Sequence, residues 1–276
     1  MIALEPIATL DVSAASGLVR CGDELFVVAD DELALARYGL DGTPRGSLRL
    51  FDGELPRAHA QRKRAKPDLE ALVDLEDGRV LALGSGSTDR RARGASIEGD
   101  VVRAVDLRPL YEVLAQRFDR LNIEGAIVLG DRLVLFTRRT GASGRNAMVR
   151  LDLAATRAAL ASGSLGAELL VDVVDIALGD CEDAPYGTTD ATRWRDGLLL
   201  TVAAEQTDDP YEDGRCCGCA IASLDANGKL RALWPITPTV KLEGIALFDD
   251  ATALVVADAD DPTIPSPLYR ARLPTR

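Results

Sequence analysis

The run Asn122-Ile123-Glu124-Gly125-Ala126, followed by Gly130-Asp131 and then Leu133-Val134-Leu135-Phe136-Thr137, decides how this chain is read. A strand opens on a carboxylate, a tight turn follows, and an apolar strand returns. Gly and Asp tolerate the positive φ that a two-residue connection demands, so the run is a hairpin. Working outward, the same pattern recurs. Ser16-Gly17-Leu18-Val19 leads across Gly22-Asp23 to Leu25–Asp30, and Asp68-Leu69-Glu70-Ala71-Leu72 leads across Asp77-Gly78 to Arg79–Gly84. Thr189-Asp190-Ala191 leads across Asp196-Gly197 to Leu198–Val202, and Lys241-Leu242-Glu243-Gly244-Ile245 leads across Asp249-Asp250 to Ala253–Asp258.

With Ser16, Glu70, Glu124, Asp190 and Glu243 as anchors, the intervals are 54, 54, 66 and 53 residues. Four-stranded propeller blades take about 40–50 residues each. The spacing therefore predicts an all-β, five-bladed β-propeller forming a single domain over 1–276. Its last blade is closed by an N-terminal strand within Ile2–Leu10, which ties the chain ends together and removes open sheet edges. Weaker outer strands are expected at Leu33–Leu40, Ser47–Phe51, Val101–Leu107, Met148–Leu153, Leu169–Ile176, Ala220–Leu224, Leu230–Pro235 and Pro267–Leu273. Helical spacing marks short insertions at Arg108–Phe118 and Ala154–Ala161. A β-sandwich with a helical appendage is the competing architecture, but it would not require a constant interval with a recurring carboxylate.

The composition narrows the chemistry. Lys+Arg 32 against Asp+Glu 44 gives a net charge of −12 and a pI near 4.7 over 276 residues. Such a chain is a poor binder of nucleic-acid phosphates, and an aromatic content of 4% offers no stacking platform. One histidine, His59, leaves little room for Ser-His-Asp triads and multi-histidine metal sites. No apolar run approaches the ~20 residues that span a bilayer. The N-terminal residues have no basic segment, and Glu5 and Pro6 interrupt any apolar one, so no membrane association and a cytoplasmic, reducing location are expected.

In a blade, the start of the innermost strand and the end of the second lie on one face. The anchors and the loops after the second strands therefore converge on one mouth of the channel, where ligands of closed β architectures sit. The loops at 85–94 and 138–146 supply six arginines, and those at 205–213 and 258–262 supply eight carboxylates, so a polarised mouth is expected. Glu70, Glu124, Asp190 and Glu243 would crowd one axis. There they either raise one another's pKa, recruit an oxygen-ligated divalent cation (calcium or magnesium), or pair with arginine. They could equally bond backbone amides of neighbouring blades and simply hold the ring closed.

Three further features stand out. Gly84-Ser85-Gly86-Ser87-Thr88, with Arg90 and Arg91 beside it, could form a nest of backbone N–H groups for an oxyanion. The basic run Arg57, Arg62, Lys63, Arg64, Lys66 reads either as a solvated linker or as a cover that brings Lys66 to the mouth. Cys216-Cys217-Gly218-Cys219 has the CxxC spacing of metal and redox sites, with Cys181 as the fourth thiol such a site would need, although free thiols are the simpler reading.

Lys66–Leu72, Gly84–Thr88 with Arg90-Arg91, Asn122–Ala126 and Leu242–Ile245 together resemble an uncharacterised family of bacterial propeller proteins. That family is more distantly similar to esterase-like phytases and gluconolactonase/regucalcin propellers. In gluconolactonase-like proteins Glu, Asn and Asp side chains on inner strands hold a divalent ion. The resemblance thus implies Glu70, Glu124, Asn122, Asp190 and Glu243 as counterparts, on five intervals here rather than six.

The combined expectation is a polar mouth binding a small anionic molecule. In the enzymatic reading it is a metal-assisted hydrolase of a phosphoester or lactone. Glu124, Asn122, Asp190 and Glu243 would hold the ion, Glu70 or Glu205 would act as base, and Ser85, Ser87, Thr88, Arg90, Arg91, Arg138, Arg139 and Lys66 would hold the anion. The alternative is a non-catalytic binding or scaffold module, its protein partner unspecified.

Overall fold

The computed structural model describes residues 1–56, 58–140, 144–206, 215–259, 261 and 263–275. Its strands group into four-stranded antiparallel sheets that follow one another along the chain. The first sheet holds Ala15–Cys21, Glu24–Ala29, Ala34–Gly39 and Pro44–Arg49. The second holds Leu69–Asp74, Arg79–Gly84, Arg93–Glu98 and Val101–Asp106. The third holds Ile123–Leu129, Arg132–Thr137, Asn146–Asp152 and Leu170–Ile176. The fourth holds Ala184–Trp194, Gly197–Gln206, Arg215–Asp225 and Leu230–Thr237, with Asp180–Cys181 added at its inner edge.

The last sheet, Lys241–Asp249, Thr252–Asp258 and Pro267–Arg272, takes Ile2–Thr9 as its outer strand, paired antiparallel from Leu4↔Ala271 to Thr9↔Pro267. The N-terminal strand also touches the fourth sheet through the short parallel pairs Ile2↔Ile236 and Ala3↔Thr237. The first strands of the sheets contact one another in cyclic order, the last returning to the first.

Strand periodicity explains the ring. Successive side chains on a strand point to opposite faces. Leu133 and Leu135 pack with Leu81, Leu83 and Val73 of the second sheet, while Val134 and Phe136 pack with Leu198, Leu200 and Val202 of the fourth. Both faces of the run are buried, which is why it reads as continuously apolar rather than alternating. Comparable groups of buried side chains fill each remaining interface between neighbouring sheets. A two-layer sandwich would instead give one shared core; the fold is propeller-like.

The insertions follow local chemistry. The helix Arg108–Ala115 buries Leu110, Tyr111 and Leu114 against the second and third sheets. The helix Leu153–Ala159 is capped by Asp152, which accepts from Ala155 N at 2.8 Å. The basic run, expected as a linker or a cover, is partly helical over His59–Ala65. No helix among the described residues is long and apolar enough to cross a membrane.

Candidate functional site

Each inner strand carries the same irregularity at its start. Pairing with the second strand slips at Ser16, Glu70, Glu124, Thr189 and Glu243. A bulge of this kind re-aims side chains and bends the strand. The residue after it faces the next inner strand at close range. A Cβ on Gly125 would lie 3.0 Å from Ala191 N, and one on Gly244 would lie 2.7 Å from Leu18 Cβ.

This register corrects one alignment. The equivalent of Glu124 in the fourth sheet is Thr189, whose hydroxyl donates to Leu242 O at 2.6 Å. Asp190 occupies the glycine position instead, fully buried, and its Oδ2 accepts from Ile245 N at 2.9 Å. Burial drives its carboxyl pKa well up, against the backbone donors that stabilise its charge. Asp190 thus clamps neighbouring inner strands, as the ring-closing reading described.

The acidic anchors Glu70, Glu124 and Glu243 lie near one another at one mouth, the end of the ring where the inner strands begin. On the second-sheet side, Asp68 sits at φ 56°, unusual for a residue with a side chain. Asp68 N donates to Asp30 O at 3.0 Å, and Ser85 N donates to Asp68 O at 2.9 Å. Its carboxylate meets Lys66 Nζ at 3.0 Å, Arg91 Nη1 at 2.8 Å and the buried Ser85 hydroxyl. Lys66 also pairs with Asp30. Burial disfavours the Lys66 charge, but Asp30, Asp68 and Glu70 outweigh it and raise its pKa. Lys66 reaches the mouth because the helix before it docks, Arg62 bonding Asp31 Oδ2 at 2.8 Å and Glu32 Oε1 at 3.1 Å. Arg57 and the side chain of His59 lie outside the described residues.

Across the mouth, Arg138 from the third sheet meets Glu205 of the fourth at 2.8 Å and Glu124 at 3.6 Å. Lys241 of the fifth lies 3.5 Å from Glu205 and 3.2 Å from Glu243. Asn122 donates its amide to Glu124. Burial pushes the Glu124 carboxyl up to about 8; Arg138 and Lys241 oppose this, and Glu243 and Asp68 reinforce it. Burial likewise raises Glu243, with Lys241 and Arg138 opposing. Glu70 stands between the two groups. Burial and then the charges of Asp68, Glu124 and Asp30 hold its pKa well above the usual range. No hydrogen-bond or ion-pair partner reaches its carboxyl among the described residues.

Several expected ligands fall elsewhere. The Gly84–Thr88 run is no open nest, because three successive N–H groups are spent internally: Ser85 N on Asp68 O, Gly86 N on Arg91 O and Ser87 N on Ser85 Oγ. Gly86 is required there, since at φ 74° a Cβ would lie 2.5 Å from the Tyr111 ring. Ser87, Thr88 and Arg90 are exposed on this turn. Ser87 bonds Arg91 Nη1 at 2.8 Å. Arg139 donates its backbone N–H to Asn146 Oδ1 at 2.9 Å, part of a link to the fourth sheet through Asn146 Nδ2 and Tyr186 O. The arginines do not face the acids as a separate wall. Arg91 and Arg138 interleave with them. Asp208, Asp209, Glu212, Asp213 and Asp260 lie outside the described residues.

The predicted metal set does not fit a divalent ion. Asp190 Oδ2 is taken by Ile245 N, Glu243 faces Lys241, Asn122 turns a donor toward Glu124, and these acids do not gather around one point. Among the described residues, Asp30, Asp68 and Glu70 form a group of three acids whose oxygens lie within 4.8 Å of one another, a grouping the sequence pattern did not single out. Lys66 already brings its positive charge to two of them. Asp30 was legible only as the last residue of a second strand.

Residues 11–273 match the model of a family described as a family of unknown function (DUF6929). The chain belongs to this family. No curated protein matches the sequence. Among solved structures, this chain is similar to Myxococcus xanthus glutaminyl cyclase, with 13% identity and a TM-score of 0.56 over 98% of this chain and 96% of that one. It is also similar to Bacillus subtilis arabinanase Arb43A, with 11% identity and a TM-score of 0.54 over 96% of each chain. At such identity the likeness concerns the fold alone. It agrees with the propeller family that the sequence resemblance implied.

Proposed function

We propose that this DUF6929 chain is a five-bladed propeller whose polar mouth binds a small polar or anionic molecule and hydrolyses it by acid–base chemistry, phosphoesters and lactones being the substrate classes. The observation that carries the reading is the unequal partnering of the mouth carboxylates. Asp30, Asp68, Glu205 and Glu243 each meet a lysine or arginine at short range. Glu70 has no such partner among the described residues, and Glu124 has Asn122 and a contact of 3.6 Å to Arg138.

Two neighbouring buried carboxyls cannot both ionise cheaply, so the pair titrates as a unit and one member keeps its proton near neutrality. Whichever of Glu124 and Glu70 keeps the proton would protonate a leaving oxygen, and the other would take a proton from attacking water. Arg138 and Lys241 are fixed cations beside the place where negative charge develops. Glu205 orients both of them, a positioning role rather than the basic one expected from the sequence.

The test is hydrolysis of a panel of aryl phosphates and aliphatic lactones, with and without EDTA. Turnover that persists in EDTA and falls about 10²–10⁴-fold in Glu124→Gln supports the reading. Absence of turnover on every member overturns it. In that case the second reading, a non-catalytic binding module, is favoured by the way Arg91 and Arg138 pair with the protein's own acids. A rise in melting temperature with phosphate or lactone, and no catalysis, would identify it.

A further inference from the structure

The cysteine-rich strand of the fourth sheet is not used in the reading above. Cys216 and Cys219 lie three positions apart, and on a regular strand their side chains would point to opposite faces. They do not. Pairing with the second strand runs Ala203↔Cys219, Ala204↔Gly218 and then Glu205↔Cys216, so Cys217 is an extra residue bulged out of register. The bulge turns Cys216 onto the face of Cys219. Both thiols pack in the core between the fourth and fifth sheets, whereas Cys217 and Cys181 pack on the other face, with the third sheet.

The two sulfur atoms stand 2.8 Å apart as free thiols. Cys219 is buried and Cys216 half-buried, so a small oxidant can reach one partner while the other waits behind it. No set of three Cys, His or acidic ligands converges here among the described residues, which removes the metal reading of the CxxC spacing and leaves the dithiol.

The geometry points to Cys216 and Cys219 as a reversible thiol–disulfide pair that closes in response to a peroxide. The Cys216 thiolate attacks one peroxide oxygen and breaks the O–O bond, giving a sulfenic acid and, for hydrogen peroxide, water. The Cys219 sulfur then attacks the sulfenic sulfur, forming the S–S bond and releasing a second water. Two thiols are oxidised by two electrons, and one peroxide is reduced. A hydrogen bond from Cys219 lowers the pKa of Cys216, whereas that bond and then burial raise Cys219; this order fits Cys216 as the attacking sulfur. The pair adjoins the mouth, since Cys216 stands opposite Glu205 in the ladder. Any effect of closure on Glu205 and Lys241 rests on the function proposed above, whereas the bond itself does not.

The experiment treats the folded, reduced protein with hydrogen peroxide, alkylates the remaining thiols, and sequences the peptide that follows Arg215 by mass spectrometry. The expected product lacks two hydrogens, is linked between Cys216 and Cys219, and leaves Cys217, Cys181 and Cys21 alkylated. Dithiothreitol restores two alkylatable thiols. Cys217→Ser and Cys181→Ser keep the linkage and Cys216→Ser abolishes it. Recovery of Cys216 and Cys219 as free thiols or as sulfinic acids, or a linkage through Cys217 or Cys181, overturns the proposal. The readout in the unaltered chain needs neither a variant nor an activity, so it stands apart from the hydrolysis assay.

Discussion

The two sides of the mouth use the same residue types and differ in how completely those residues are paired. On the second-sheet side, Asp68 is held by its own backbone bonds and shared among Lys66, Arg91 and Ser85. Most of this network comes from one stretch, 66–91, and from a turn packed on Tyr111. Across the mouth, Arg138, Glu205, Lys241 and Glu243 arrive from three sheets and meet over 2.8 to 3.6 Å, with Glu124 bonded by a neutral amide. The first arrangement fixes a shape. The second leaves Glu124 buried with a neutral amide as its nearest partner, and burial raises its pKa.

The largest effect that separates the two sides is expected for Asp68→Ala. Lys66 and Arg91 would lose a shared, buried counter-charge, at a cost of about 3–5 kcal/mol in denaturant unfolding. Arg138→Met should cost less, about 1–3 kcal/mol by the same measurement at pH 6. Glu124 is then largely protonated, and Glu205 and Glu243 keep Lys241 beside them. Equal losses for the two variants would erase the distinction.

A further effect concerns pH. The Glu124 carboxyl ionises at about 8 in the folded chain against an ordinary value of 4.5, so between those values the folded state holds more protons than the unfolded. Its contribution to stability is complete below pH 4.5 and is lost as pH rises through 8. The slope should reach about 1.4 kcal/mol per pH unit. Glu124→Gln should flatten this part of the profile, and an unchanged profile would place the titration elsewhere. The smallest effect is expected for Arg90→Ala, an exposed residue on the turn beside Asp68: within about 0.5 kcal/mol of the parent and with no change in hydrolysis.

The fold was largely legible because its signals are local. Turn pairs such as Gly130-Asp131 and runs such as Leu133–Phe136 report a hairpin whatever surrounds them, and their recurrence reports the ring. The site was legible only in part. Lys66, Glu70, Glu124, Arg138, Glu205 and Glu243 were singled out, and the structure gathers them at one mouth. Asp190 was misaligned by one position because a bulge leaves no signature in spacing: Thr189 and Asp190 are both polar, and only the ladder shows which of them replaces the glutamate. The Gly84–Thr88 run had the composition of an anion nest, but composition does not say whether its N–H groups are already bonded. Asp30 carried no signal until the turn of the chain placed it beside Lys66.

The sequence by itself determined the repeating hairpins, the chain closure through Ile2–Thr9 and the side of the ring on which the charged residues collect. These follow from backbone sterics and side-chain alternation, which act over a few residues. Only the tertiary structure decided which carboxylates are neutralised, which keep a proton and which thiols share a face. Charge–charge energies change within an ångström or two, and the partners are contributed by sheets far apart in the chain.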